Sequence, residues 1–240
     1  MTGQFKNSVV LVTGGGSGIG RASALAFARE GATIAVADLA VEGGKETESI
    51  IKESDGTAIF IEADVSKASE VEAMVNSVVG SYGVLDYAHN NAGILGNLAP
   101  TAECTEENWE SVINTNLKGV WLCMKYEIPK MRGGAIVNTS SVFGLKGGQN
   151  LPAYIASKHG VIGATKAAAS EYAHKAIRIN AVCPDAVRTP MQERFMGKPF
   201  GRAPEEVAQA VLWLCSDASS AITGETLTYR QWKRRIAESQ

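Results

Sequence analysis

Residues 9–38, VVLVTGGGSGIGRASALAFAREGATIAVAD, constrain the fold more than any other stretch. An apolar run leads into Gly14, Gly15, Gly16, Ser17, Gly18, Ile19 and Gly20. A helix-like stretch follows, and a second apolar run ends in Asp38. Glycines in such a turn allow positive φ and let backbone lie close against a ligand. The helix that follows offers unpaired N–H groups and positive potential, which suit a pyrophosphate. The spacing is G-x-x-x-G-x-G, a partial match to the general dinucleotide motif, but strand, loop, helix and strand follow in the order such a site demands. Asp38 stands where an acid would bond the adenosine ribose hydroxyls. A carboxylate there repels a 2′-phosphate, and neither Ser17 nor Leu39 supplies a compensating charge. NAD(H) rather than NADP(H) is the expected cofactor.

The same alternation runs through the chain. Strands are expected at 9–13, 33–38, 58–64, 85–90, 134–140 and 177–183, with a last one within 222–228. Helices are expected at 18–30, 42–54, 67–82, 105–131, 154–173 and 204–216. Several strand runs are apolar at nearly every position, as strands buried on both faces must be. The expected fold class is α/β: a single-domain, Rossmann-type, doubly wound parallel sheet with helices on both faces. With 240 residues and no low-complexity linker, one domain spanning 1–240 is expected. A net charge of −2 gives no broad attraction to nucleic acid or to an anionic membrane. No stretch reaches the ~18 apolar residues of a membrane span, and no apolar leader opens the sequence. Cys104, Cys123, Cys183 and Cys215 form no CxxC pair or His/Cys cluster, so no metal site is expected. A cytoplasmic location with reduced cysteines follows as an expectation.

Tyr154 precedes Lys158 by four residues in AYIASKHG, which places both on one helix face. Taken alone, such a pair is usually a solvated surface. The glycine loop changes its weight. With TGGGSGIG (13–20), ADVS (63–66), NNAG (90–93), NTNLKG (114–119), IVNTSS (136–141), YIASK (154–158), RINAVCP (178–184) and TPM (189–191) in order, the chain resembles the short-chain dehydrogenase/reductases over roughly residues 7–225.

That resemblance implies an NAD(H)-dependent oxidoreductase interconverting a secondary alcohol and a ketone. It implies Tyr154 as acid/base, Lys158 as the group that lowers its pKa and holds the nicotinamide ribose, and Ser141 on the substrate oxygen. Asn116 would position a water in the proton relay. Gly14, Ser17, Gly18, Ile19 and Gly20 would cradle the dinucleotide, with Asp38 on the ribose and Asp64 and Val65 near the adenine. Asn90, Asn91, Ala92 and Gly93 would line the cleft, and Pro184, Val187 and Thr189 the nicotinamide end. The partner is a small alcohol or ketone, and a homo-oligomer, dimer or tetramer, is implied.

The chemistry supports the assignment. A tyrosine of pKa ~10 is a poor base at neutral pH. An ammonium about 4 Å away favours the phenolate by ~4 kcal/mol at an effective dielectric of 20, or up to ~3 pKa units before any desolvation penalty. His89, His159 and His174 are read as structural, and Trp109, Trp121 and Trp213 as helix packing.

Three departures from the family stand out. Asp185 follows Pro184 where glycine is usual; a turn residue is the simpler reading of it, and a carboxylate for a polar substrate the other. Only 192–201 separates TPM from RAPEEVA, which implies a shortened, open substrate lid. YRQWKRRIAESQ (229–240) replaces the usual ending with a basic, atypical tail. These leave two rivals: a non-catalytic dinucleotide-binding regulator, and an inactive partner subunit.

Overall fold

Residues 3–238 are described in a computed structural model. Seven parallel strands form one sheet: β1 (Val9–Thr13), β2 (Thr33–Asp38), β3 (Thr57–Glu62), β4 (Tyr87–Asn90), β5 (Gly134–Thr139), β6 (Ile177–Cys183) and β7 (Thr226–Thr228). Their order is β3-β2-β1-β4-β5-β6-β7. The chain runs outward from β1 in one direction, then returns to β4 and runs outward in the other. The crevice therefore opens beyond the carboxyl ends of β1 and β4, where ligands bind in such sheets.

Alternation along the strands builds two cores. Val9 and Leu11 face one side, with α3 (Ala68–Tyr82), α5 (Gly119–Glu127) and α6 (Pro152–Tyr172) packed there through Val75, Leu122 and Val161. Val10 and Val12 face the other, against α1 (Gly18–Arg29), α2 (Val41–Glu53) and α8 (Pro204–Cys215) through Phe27, Ile51 and Val211. No helix among the described residues is long and apolar enough to cross a membrane.

Three elements differ from the sequence reading. The expected helix at 105–131 is α4 (Glu106–Ile113), a π-turn over Asn114–Lys118, α5, and a 3-10 turn over Ile128–Lys130. The π-turn inserts one extra residue and frees backbone from the regular ladder, a feature common at functional sites. The segment read as a short spacer holds a helix, α7 (Pro190–Met196), started by Thr189, whose hydroxyl accepts from the Gln192 N–H at 3.2 Å.

The tail is helical too. In α9 (Tyr229–Glu238), Trp232 is buried against the second core while Arg230, Lys233 and Arg234 face solvent. The basic run is the wet face of an amphipathic helix. Trp213 is buried as expected, but Trp109 on α4 and Trp121 on α5 are 42% and 49% exposed, so they are not packing residues.

Candidate active site

The glycine loop leaves β1 at the crevice. Gly14 (φ +63°) needs left-handed backbone, and a Cβ there would lie 2.8 Å from the Ala92 Cα. Gly18 (φ +51°) opens α1, and its Cβ would lie 2.9 Å from the Thr189 Cγ2. Ser17, the N-cap of α1, spends no side-chain hydrogen bond on capping, and the first turn carries no acid. The helix end is thus open to an anion.

Asp38 at the end of β2 accepts the Gly16 N–H and the Ala40 N–H, both at 2.8 Å, which fixes its carboxylate beside the loop. Thr13 Oγ1 accepts the N–H groups of Asn91 (3.0 Å) and Ala92 (3.2 Å), and Asn91 Nδ2 donates to the carbonyls of Thr13 and Gly14. These bonds join the exits of β1 and β4 into one floor.

Just beyond β3, burial resists ionisation of Asp64, but the Ser66 hydroxyl and N–H and the nearby Lys67 outweigh it and hold the carboxyl below its usual range.

At the other end, α6 places Tyr154 and Lys158 one turn apart. Lys158 is only 4% exposed, and its ammonium donates to the Thr139 carbonyl at 2.8 Å and lies 5.6 Å from the Tyr154 ring centre. Burial lowers the Lys158 pKa to about 8. Burial raises that of Tyr154, against a hydrogen bond with Ser141 that lowers it. The lysine is therefore not a free point charge next to the phenol; desolvation acts on both partners.

The two adjacent serines divide their work. Ser140 Oγ donates to the Lys158 carbonyl at 2.8 Å, whereas Ser141 Oγ accepts the Phe143 N–H at 3.2 Å and reaches the phenol.

Asn116, buried in the π-turn, accepts the Ile94 N–H and donates to the Ile94 carbonyl, both at 2.8 Å, and donates to Ser157 Oγ at 3.1 Å. Its amide is committed to backbone and Ser157, so the side chain clamps the loop after β4. Gly93 sits between it and the lysine: a Cβ there would be 3.1 Å from Asn116 Oδ1 and 3.6 Å from Lys158 Nζ.

One cavity of about 900 Å³ connects these parts. Gly14, Ser17, Gly18, Ile19, Asp38, Asp64, Val65, Asn91, Ala92 and Gly93 line one end; Ser141, Tyr154, Lys158, Pro184, Val187 and Thr189 line the other. Gly20 and Asn116 do not line it. A Cβ on Gly20 would strike the Gly14 carbonyl, so its role is packing beneath the loop. Asn90 does not line it either: its amide donates to Glu127 and Asn138 in the core.

Phe195, Met196 and Phe200, in the lid region but not singled out from the sequence, line the same end as Tyr154 from the α7 region. Thr189–Pro190 was the helix-start signal that could have found it. Sequence reasoning missed Thr139, which holds Lys158 through its carbonyl while its hydroxyl meets buried His89 Nε2 at 2.9 Å and donates to Asn91 Oδ1 at 3.3 Å.

Known proteins resemble this chain in sequence and fold. The family described as enoyl-(acyl carrier protein) reductase matches residues 14–229. A cyclohexanol dehydrogenase of Acinetobacter sp. (strain SE19) is 45% identical over 235 residues, covering 93% of this chain and 94% of the relative. A crystal structure of levodione reductase superposes with a TM-score of 0.91 at 35% identity, covering 97% of this chain and 99% of that one. One of NAD+-bound xylitol dehydrogenase gives 0.89 at 31% identity, covering 94% and 98%.

Proposed function

Because the chain belongs to the short-chain dehydrogenase/reductase family, we propose that it is an NAD(H)-dependent oxidoreductase interconverting a secondary alcohol and a ketone. The observation that carries this reading is one cavity joining the glycine cradle to Ser141, Tyr154 and Lys158. The cradle fits a dinucleotide: side chains are absent where the loop meets Ala92 and Thr189, and the end of α1 is uncapped by Ser17.

The nicotinamide supplies hydride transfer when bound. Everything else falls to this chain. Tyr154 Oη takes the hydroxyl proton in oxidation and returns it in reduction. The Ser141 hydroxyl donates to the substrate oxygen as negative charge develops there. Lys158, held by the Thr139 carbonyl, supplies positive charge behind the phenol. Asn116 fixes the Ile94 backbone and so the wall of the cavity.

Asp38 supports NAD(H) over NADP(H). Arg21, the cation near the loop, is tied to Glu46 and to the Gly16 and Gly43 carbonyls rather than free to meet a phosphate. The substrate end is walled by Val142, Phe143, Leu151, Met191, Phe195 and Phe200, which suits an apolar carbon skeleton such as an alicyclic ring. The exposed Trp109 and Trp121 support self-association through the face of α4 and α5.

Tyr154→Phe, assayed with NAD+ and cyclohexanol and titrated with NADH, tests the reading. Loss of turnover by ~10²–10⁴-fold is expected, with NADH binding retained. Turnover that survives the substitution overturns the proton-transfer role.

A further inference from the structure

The segment that walls the substrate end leaves the sheet after Pro184 and rejoins the fold at α8. Its two ends are clasped together at its base. Arg202 N–H donates to the Ala186 carbonyl at 2.9 Å, and Arg188 N–H to the Arg202 carbonyl at 2.8 Å. Gly201 (φ +103°) lies so close to Ala186 that a side chain there would strike its carbonyl.

Above this backbone clasp, Arg202 Nε donates to both carboxylate oxygens of Asp185, at 3.0 and 3.2 Å. The guanidinium carbon lies 3.3 Å from the centre of the Tyr229 ring, on the first residue of α9. Tyr229 is itself held, donating its hydroxyl to Glu206 Oε2 on α8 at 2.9 Å. Asp185 lines the cavity and takes no left-handed backbone angle. Its carboxylate is committed to Arg202 rather than presented to a substrate.

A half-exposed ion pair alone contributes little. This one closes a loop whose backbone is already clasped, and one partner is sandwiched against an aromatic ring fixed from two helices. A lid of seven helical residues has little packing of its own, so its position depends on where its ends are held.

We propose that Asp185 and Arg202, backed by Tyr229, are positioning residues for the substrate: their ion pair fixes the 186–201 lid over the cavity, and the C-terminal helix thereby sets how tightly the carbon skeleton is gripped. This rests on the function proposed above. It also gives the unusual residue after Pro184 and the unusual C-terminal segment one shared purpose.

The test uses the full chain with Asp185→Asn, Arg202→Met, the double variant, Asp185→Glu and Tyr229→Leu. KM for cyclohexanol with NAD+ rises about tenfold in each of the two single variants, with kcat within twofold. The double variant matches the singles, because one interaction is lost only once. Asp185→Glu restores KM to within twofold, and Tyr229→Leu moves it in the same direction as Arg202→Met. NADH affinity is unchanged throughout, and amide exchange over 186–201 quickens in both singles. Unchanged KM and unchanged exchange in Asp185→Asn, or fully additive effects in the double variant, overturn the proposal. A wild-type protein that binds NADH but oxidises no cyclohexanol counts against the proposed function instead; amide exchange over 186–201 then decides the latch by itself.

Discussion

The Lys158 ammonium lies 2.8 Å from the carbonyl oxygen of Thr139 at the end of β5. One backbone acceptor thus orients the buried cation nearest the Tyr154 phenol. At 5.6 Å from the ring centre and an effective dielectric of 20, the attraction for a phenolate is on the order of 3 kcal/mol. Burial of the tyrosine opposes it. The charged lysine therefore favours the phenolate against the burial that disfavours it.

Lys158→Met removes that charge and leaves the burial. The pH dependence of kcat/KM for alcohol oxidation should shift alkaline by one to two units, or activity should collapse. In the wild type, the lysine is charged below its pKa of about 8 and loses its charge as pH rises through it. Its support for the phenolate is therefore present at neutral pH and fades in alkali. A variant profile superimposable on that of the wild type would count against this account.

Asp38→Asn removes the charge and keeps an acceptor for only one of the two N–H groups, because Gly16 and Ala40 donate to different carboxylate oxygens. NADH binding should weaken about tenfold, the scale of one charge-assisted hydrogen bond, and NADPH binding should strengthen. Fluorescence titration with both dinucleotides measures this. A wild-type protein that prefers NADPH removes the basis for assigning NAD(H).

Much of this site was legible in the sequence because its parts follow local rules. Tyr154 and Lys158 share a face by helix spacing alone, and the glycine loop announces itself between two apolar strands. The parts that were not legible depend on contacts across the fold. Periodicity cannot register the single extra residue of the π-turn at Asn116. Asn90 and Asn91 are neighbours in one motif, yet strand alternation sends the first to Glu127 in the core and the second to the loop. The α9 helix was hidden by its basic run, because Tyr229, Trp232 and Ile236 reveal a face only once the core beneath them is known.

Trp232→Ala tests whether that C-terminal helix is integral. The side chain is 1% exposed and packs edge-on against Tyr229 with ring centres 5.5 Å apart. Its truncation should cost ~3–5 kcal/mol, read as a lower urea midpoint. A change below 1 kcal/mol would mean that α9 contributes little to the fold.

Glu127 gives a stability prediction of the opposite sign. It is fully buried on α5; Oε2 accepts from Asn90 Nδ2 at 3.0 Å, and Oε1 has no partner. Burial raises its pKa from 4.5 to about 7, against the Asn90 hydrogen bond that lowers it. The folded state therefore holds a proton that the unfolded state releases. Stability from this group is intact below pH 4.5, falls as pH rises from 4.5 to about 7, and stays reduced above that. At ~1.4 kcal/mol per unit the loss reaches about 3 kcal/mol. Glu127→Gln is neutral at every pH and keeps an acceptor for Asn90, so it should be more stable than the wild type above pH 7 and indistinguishable near pH 4. Comparing the two proteins cancels the contribution of buried His89, whose pKa of about 3 makes stability fall as pH drops below 6.5. Urea midpoints at pH 4, 6 and 8 measure the difference; a gap that does not widen with pH would show that Glu127 is not held protonated in the fold.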